Sequence, residues 1–200
     1  MMDYLEGLDI HPGVRSFFAP CIIRSCGTLI FKQDEYLEHA GQNFHRIPVT
    51  EAIRTAGEPE TAADFFICSS AMDAIAWLNL NQHRQFNQLT FMAIGAVPNK
   101  YHAETIRNYT SKRKLHFLFS NDDPGAICDL KLASYIRNKP VKISYKKNLF
   151  KVFFENKYYT FDNLSLNALE KASGYNFRIR THKPKKASTY YEQLRNSHTA

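Results

Sequence analysis

The chain has no CxxC pair, no glycine-rich phosphate loop, no long apolar run and few acidic residues in its last third. Each absence removes a class of function. The four cysteines, Cys21, Cys26, Cys68 and Cys128, lack the paired spacing of a zinc ribbon. The nearest approach to a zinc set is Cys21 and Cys26 with His39 or His45, and reduced, buried thiols are the plainer expectation. Without a GxxxxGK loop, nucleotide hydrolysis on a Walker-type cradle is excluded. No apolar run approaches the roughly 18 residues that a membrane helix needs. The start, MMDYLEGLDI, lacks the basic and then apolar layout of a secretion signal, so a cytoplasmic protein with no membrane partner is expected. No candidate nucleophile sits in a recognisable strand-turn-helix elbow, and His45, His83 and His102 belong to no motif, so no Ser-His-Asp or Cys-His set can be assembled.

What is present describes a globular chain: 44% hydrophobic and 22% charged residues are enough to bury a core. The net charge of +7 is unevenly placed. Residues 1–140 hold fourteen Lys and Arg against fifteen Asp and Glu, a balance of −1, whereas residues 141–200 hold twelve against four, a balance of +8. A basic segment with interleaved aromatics is what a phosphate backbone attracts. A solvated basic face that only aids solubility is the alternative.

Four regions follow from these shifts. Residues 1–60 read as an N-terminal extension, with a short amphipathic start (Tyr4, Leu5, Leu8, Ile10), a strand at Gly27 to Phe31 and a polar connecting stretch ending in Gly57-Glu58-Pro59-Glu60. Residues 61–140 change to strict alternation. The runs Phe65 to Cys68, Leu89 to Ile94 and Leu115 to Phe119 read as buried parallel strands, and Ala71 to Leu80, His102 to Ser111 and Pro124 to Arg137 as helices. That alternation predicts βαβ units, hence an α/β fold with a small parallel sheet flanked by helices. Trp77, with Ile75, Leu78 and Leu80, is expected to face the sheet, and His116 to be a satisfied core histidine.

Ligands of open parallel sheets collect at the carboxyl ends of strands. Here those ends read Ser69-Ser70-Ala71-Met72-Asp73, Gly95-Ala96-Val97-Pro98 and Ser120-Asn121-Asp122-Asp123-Pro124-Gly125. In order and spacing this resembles the Toprim family, whose first strand ends in Glu with an Asp four positions on, whose second ends in a glycine turn, and whose third ends in Asp-x-Asp. The resemblance runs from about 64 to 139 and is nearest to bacterial phage and conjugative-element primases; Tyr4-Leu5-Glu6 and the strand at Gly27 to Phe31 are consistent with it. Ser69 stands where that family has its Glu, and Ser120 where it has the first Asp, so Asp73, Gly95 and Asp122 are what remain of the pattern. The family's activity, magnesium-assisted phosphoryl transfer, is therefore expected to be degenerate.

Elementary chemistry agrees. Holding magnesium takes hard oxygen ligands, usually two or more carboxylates, and serine supplies neither charge nor a suitable proton affinity. Adjacent Asp122 and Asp123 are the remaining candidates for a weak site, and neighbouring side chains in extended backbone point apart. Capping explains some of the same residues. Ser70 to Asp73 fits a capping box, with the Asp reaching back to the serine N–H, and Asp123 before Pro124 fits an N-cap with proline in the first turn. Asp122 has no assigned capping role on this reading.

Residues 141–182 follow a different pattern. Val141 to Lys146, Phe150 to Glu155 and Tyr158 to Phe161 predict an antiparallel meander with turns at Lys147-Asn148 and Asn156-Lys157. A short helix follows between Ser165 and Gly174, then a strand from Phe177 to His182, and residues 183–200 read as a basic tail. Lys142, Lys146, Lys147 and Lys151, joined by Arg178, Arg180, Lys183, Lys185 and Lys186, are the candidate nucleic-acid contacts, with Tyr145, Tyr158 or Tyr159 for stacking.

Three functions remain open on sequence alone. One is a catalytically silent nucleic-acid-binding accessory in replication or mobilisation of a phage or conjugative element, with a replication or mobilisation protein as partner. Another is a magnesium-dependent phosphoryl transferase rebuilt on Asp122 and Asp123. The third is a protein-interaction module displaying an apolar patch such as Phe150, Phe153 and Tyr159.

Overall fold

A computed structural model describes residues 4–25, 27–81, 85–110 and 113–197; Cys26, His83 and Ser111 lie outside them. The chain is mixed α/β, built on three sheets. After α1 (Tyr4–Gly7) and α2 (Pro12–Phe18), four strands form an antiparallel sheet in sequence order: β1 (Ile23–Ser25), β2 (Thr28–Gln33), β3 (Tyr36–Gly41) and β4 (Phe44–Arg46). The stretch expected to be a connecting loop thus contains β3, β4 and β5 (Arg54–Ala56). β3 escapes the alternation rule because one of its inward residues is charged: Glu38 is buried beside Ala40.

The central sheet is made of β6 (Asp64–Cys68), β7 (Leu89–Ala93) and β8 (Lys114–Phe117), all parallel, with the antiparallel β5 at one edge and the two-residue β12 (Arg180–Thr181) at the other. Helices α3 (Ala71–Leu80), α4 (Lys100–Thr110) and α5 (Asp123–Arg137) follow the three parallel strands in turn. The strands are largely apolar because both faces are covered, with Thr90 and His116 as buried polar exceptions. Phe66, Cys68 and Phe91 pack toward α3 and the N-terminal elements, while Phe65, Ile67, Met92 and Phe117 pack toward α4, α5 and the C-terminal third.

Helix α3 is buried from Ala71 through Asn79, not on one face alone. The second cover is α7 (Tyr190–Ser197), which lies across it. A helix this uniformly apolar needs covering on every side, and its last residue, Leu80, emerges at 42% exposure. Trp77 packs against Phe66 at 4.3 Å with the rings tilted by 38°, a packing whose removal costs about 3–5 kcal/mol.

The C-terminal third holds the meander β9 (Lys142–Lys146), β10 (Leu149–Phe154) and β11 (Lys157–Phe161), in the order β11-β10-β9, followed by α6 (Leu166–Ser173). Its turns are two-residue left-handed pairs, Lys147-Asn148 and Glu155-Asn156, the second one residue earlier than expected. Ser165 caps α6 through Ala168 N, and Gly174 ends it at φ +73°. The expected strand from Phe177 to His182 is reduced to β12, because it meets only the last half of β8.

Candidate functional site

The carboxyl ends of β6, β7 and β8 lie along one edge of the central sheet, so Ser69, Asp73, Gly95, Ser120, Asp122 and Asp123 are brought to the same side of the molecule. What the chain does there is close the edge with its own groups. Ser70 is the N-cap of α3 and accepts from Asp73 N at 3.0 Å. Asp73, 5% exposed, does not reach back to the serine N–H. It accepts from Ser70 Oγ at 2.7 Å and from Tyr191 N, in the first turn of α7, at 3.0 Å. One carboxylate therefore serves the N-terminal ends of two helices. Burial holds the Asp73 carboxyl above its ordinary range, against the pull of those two donors.

A second carboxylate arrives that the sequence did not announce. Glu38, 1% exposed, accepts from Ala71 N at 2.7 Å and Met72 N at 3.2 Å, and its Oε1 lies 3.0 Å from His45 Nε2. The end of β6, where Ser69 stands half-buried, thus has an acid supplied from β3 and spent on the free N–H groups of α3. Tyr191 Oη is bonded to Tyr4 Oη and donates to Gly41 O, sealing this corner. Charge from Asp73 and Glu38, after burial itself, pushes the neighbouring Cys68 thiol well up.

At the end of β7, Gly95 is a backbone requirement. It sits at φ +80°, a Cβ there would lie 2.6 Å from Pro48 O, and Ala96 N donates to the same oxygen at 2.8 Å. The connection from β4 to β5 therefore crosses over this strand end.

At the end of β8, the N-cap of α5 is Asp122, not Asp123. Asp122 Oδ1 accepts from Gly125 N at 2.8 Å and Ser120 Oγ at 2.6 Å. The cap moves forward one residue because Asp123 already has helical backbone, with Pro124 beside it in the first turn. A Cβ on Gly125 would overlap the Ser120 carbonyl oxygen, which explains the glycine at that place.

Residues 183–197 are not a tail. Lys183 Nζ donates to Ser120 O at 2.8 Å and Phe119 O at 3.2 Å, and pairs with Asp129 Oδ2 at 2.7 Å. Asn121 N donates to Ser188 O, and α7 then packs on α3. Lys183 is consequently an internal cation. Asp129, 1% exposed with Oδ1 unpartnered, has its carboxyl raised to about 6, because burial outweighs the pull of Lys183. Lys185 and Lys186 stay exposed, their backbone N–H groups held by Gln193 Oε1.

Magnesium does not fit this edge. Asp73 and Glu38 are committed to backbone donors, Asp122 to its helix cap, and Asp123 is exposed one residue on. Among the described residues no group of three or more His, Cys, Asp or Glu is placed to hold a metal ion. Cys21 Sγ lies against Thr55 O, and His45 against Glu38, so these two do not form part of a zinc set. Clefts of about 930 Å³, lined by residues such as Lys32, Leu37 and Arg54, and about 430 Å³, lined by residues such as Arg107 and Tyr135, include none of Ser69, Asp73, Gly95, Ser120, Asp122 and Asp123 in their linings.

His116 is 1% exposed, with Nε2 2.8 Å from Asp64 Oδ1 and Nδ1 2.9 Å from His182 Nε2. It is a satisfied core histidine. Both ring nitrogens of His116 thus have a polar partner, Asp64 on one side and His182 on the other.

The meander is different. Its register sorts the residues into an inner face of Phe150, Val152, Phe154, Ile143, Tyr145, Tyr159 and Phe161, and an outer face of three cross-strand rows. The rows read Lys142–Phe153–Tyr158, Ser144–Lys151–Thr160 and Lys146–Leu149. No carboxylate occurs in them. Tyr158 is 65% exposed, with Phe153 at 4.9 Å and Lys151 Nζ at 4.1 Å from its ring. Tyr145 and Tyr159, expected as alternative stacking groups, fall on the inner-face side of the register with Phe150, and Tyr145, 4.6 Å from Phe150 near the end of its strand, is itself 58% exposed. Phe150, Phe153 and Tyr159 therefore form no common patch; exposed apolar groups occur on the meander at Tyr145, Leu149 and Tyr158 and on the N-terminal strands at Ile23, Leu37 and Phe44. Lys147 lies in the turn at the end of this sheet. Arg178 and Arg180 do not join the meander face: Arg180 is on β12 in the central sheet, and Arg178 precedes it at φ +55°.

Among solved structures, the primase fragment of the bacteriophage T7 primase-helicase protein is similar at 9% identity and a TM-score of 0.44, over 99% of this chain and 71% of that one. A likeness at that score carries no inference about this chain. No protein-family profile and no curated protein matches it. No helix among the described residues is long and apolar enough to cross a membrane.

Proposed function

We propose that this protein is a catalytically silent, Toprim-like nucleic-acid-binding accessory that acts in replication or mobilisation of a phage or conjugative element. The observation that carries the reading is the outer face of the meander, where Lys142, Lys146 and Lys151 share one surface with exposed Tyr158 and no acidic residue. Lysines on a sheet face opposite a packed core have no folding role to fill, and a polyanion is the complementary ligand. The silent half of the proposal is supported by the carboxyl ends of β6 and β8, where Ser69 and Ser120 replace acids and Asp73 and Asp122 serve as helix caps.

Contacts of this kind are mostly to phosphate, carry little sequence information and weaken steeply with salt. The test is a titration of the purified chain against fluorescent DNA and RNA at low and physiological salt, with and without magnesium. Salt-sensitive binding that ignores magnesium supports the proposal. Binding or strand cleavage that requires magnesium overturns the silent part and favours a phosphoryl transferase using Asp122 and Asp123. Absence of binding at low salt overturns the nucleic-acid part and leaves the apolar N-terminal strands, with Ile23, Leu37 and Phe44, as the surface for a protein partner.

A further inference from the structure

We infer that the outer face of the meander selects single-stranded nucleic acid, with unpaired bases stacking on Tyr158 and Phe153 while the lysines hold the phosphates; this rests on the reading above and names the form of nucleic acid it takes. Three features of the face point to unpaired bases and not to phosphate alone.

The first is the ring left in water. Tyr158 is 65% exposed while Tyr159 and Phe161 on the same strand are half-buried toward the inner face, and Phe153 lies beside it at 4.9 Å with the rings tilted by 53°. Two adjacent aromatic rings on a sheet surface make a platform about as wide as one base, and every base has a π-face to lay on it. The second is the position of Lys151. Its ammonium rests over the Tyr158 ring at 4.1 Å, a weak contact at an exposed site. A base entering that ring face displaces the ammonium, which then turns to the phosphate of the same nucleotide. Stacking and charge neutralisation thus occur in one event. In a duplex the base faces are already stacked on one another and the platform has nothing to take, so the face discriminates against paired strands.

The third feature is rigidity. Phe150, Val152 and Phe154 are at most 2% exposed on the opposite face, and left-handed pairs close both hairpin turns, so the rings are held in place before a ligand arrives. Little ordering cost is then left to binding. The other open sheet face, on β2 to β4, lacks this combination: Phe44, though 48% exposed, packs over Gly41, and Asp34 and Glu35 line the same cleft as Lys32, so no single sign of charge is offered.

The experiment compares three probes of equal length against the full chain at low salt: single-stranded DNA, the matching duplex, and an abasic single strand that keeps the phosphates and lacks the bases. The single strand is expected to bind about tenfold or more tightly than either of the others, as stacking of one base predicts. Tyr158→Ala should erase that advantage without changing the salt dependence, and Tyr158→Phe should keep it, which separates loss of stacking from loss of the fold. Equal, lysine-dependent binding to all three probes overturns the single-strand inference and leaves the nucleic-acid reading standing. Failure to bind any probe overturns both.

Discussion

The two charged regions of this molecule are built on opposite plans. At the carboxyl edge of the parallel sheet, Glu38, Asp73, Asp122, Asp129 and Lys183 are each bonded to backbone or to one another. On the outer face of the meander, Lys142, Lys146 and Lys151 point to solvent with no acid among them. The difference teaches where to look for function in a chain whose motifs are incomplete. Charge spent on helix ends and internal pairs holds the fold together, and charge left unspent on a rigid face is available to a ligand. At the carboxyl edge, where an α/β sheet ordinarily keeps its chemistry, Glu38, Asp73 and Asp122 are here tied into helix ends.

That contrast makes graded predictions. Asp73→Ala should have the largest effect, about 3 kcal/mol of stability, since it leaves Tyr191 N, in the first turn of α7, and the hydroxyl of Ser70, the N-cap of α3, without their buried acceptor. Denaturant unfolding measures it, and a loss below about 0.5 kcal/mol would show that the edge is not held by this carboxylate.

Asp129 should contribute a pH dependence of similar size. Its folded-state pKa of about 6 lies above the ordinary 3.8, so the folded chain holds this proton more tightly than the unfolded chain. The stabilisation is full below about pH 4 and is lost as pH rises through about 6, on the order of 3 kcal/mol in all. Relative to Asp129→Asn, the wild type should lose stability across that window in urea titrations. Parallel pH profiles for the two chains would contradict the assignment.

Gly95→Ala should cost about 1–3 kcal/mol, because alanine must adopt a positive φ while its Cβ meets Pro48 O. A shifted midpoint of thermal unfolding checks it, and an unshifted one would mean that the crossing segment yields freely. Least of all, charge reversal at Lys142, Lys146 and Lys151 should change stability by no more than about 0.5 kcal/mol each. A larger loss would place these lysines on the structural side of the comparison.

Much of the fold was legible because local signals and burial agree. Largely apolar runs marked β6, β7 and β8, Ser165 and Gly174 bracketed α6, and strict alternation marked the meander. β3 and β4 were hidden because Glu38 points inward, and only the position of α3 explains why a carboxylate belongs there. α7 was hidden because Tyr190, Tyr191 and Leu194 lie among polar residues and find their partner more than a hundred positions back, on α3. In the candidate site, Asp73 carried a visible capping signature, but its second bond to Tyr191 depends on long-range docking. Lys183 looked like one more tail lysine, since no local pattern distinguishes an ammonium that will meet Asp129 and the carbonyls of Phe119 and Ser120. The shared face of Lys142, Lys146 and Lys151 followed from period two alone, whereas the exclusion of Arg178 and Arg180 required knowing that β12 pairs with β8.

The most direct test of the account is a binding titration of three chains, wild type, K142E/K146E/K151E and D122N/D123N, against one fluorescent single-stranded oligonucleotide with and without magnesium. The account predicts that charge reversal abolishes binding, that D122N/D123N binds as the wild type does, and that magnesium changes neither result. Binding that survives charge reversal, or that is lost with the two aspartates and restored by magnesium, would contradict it.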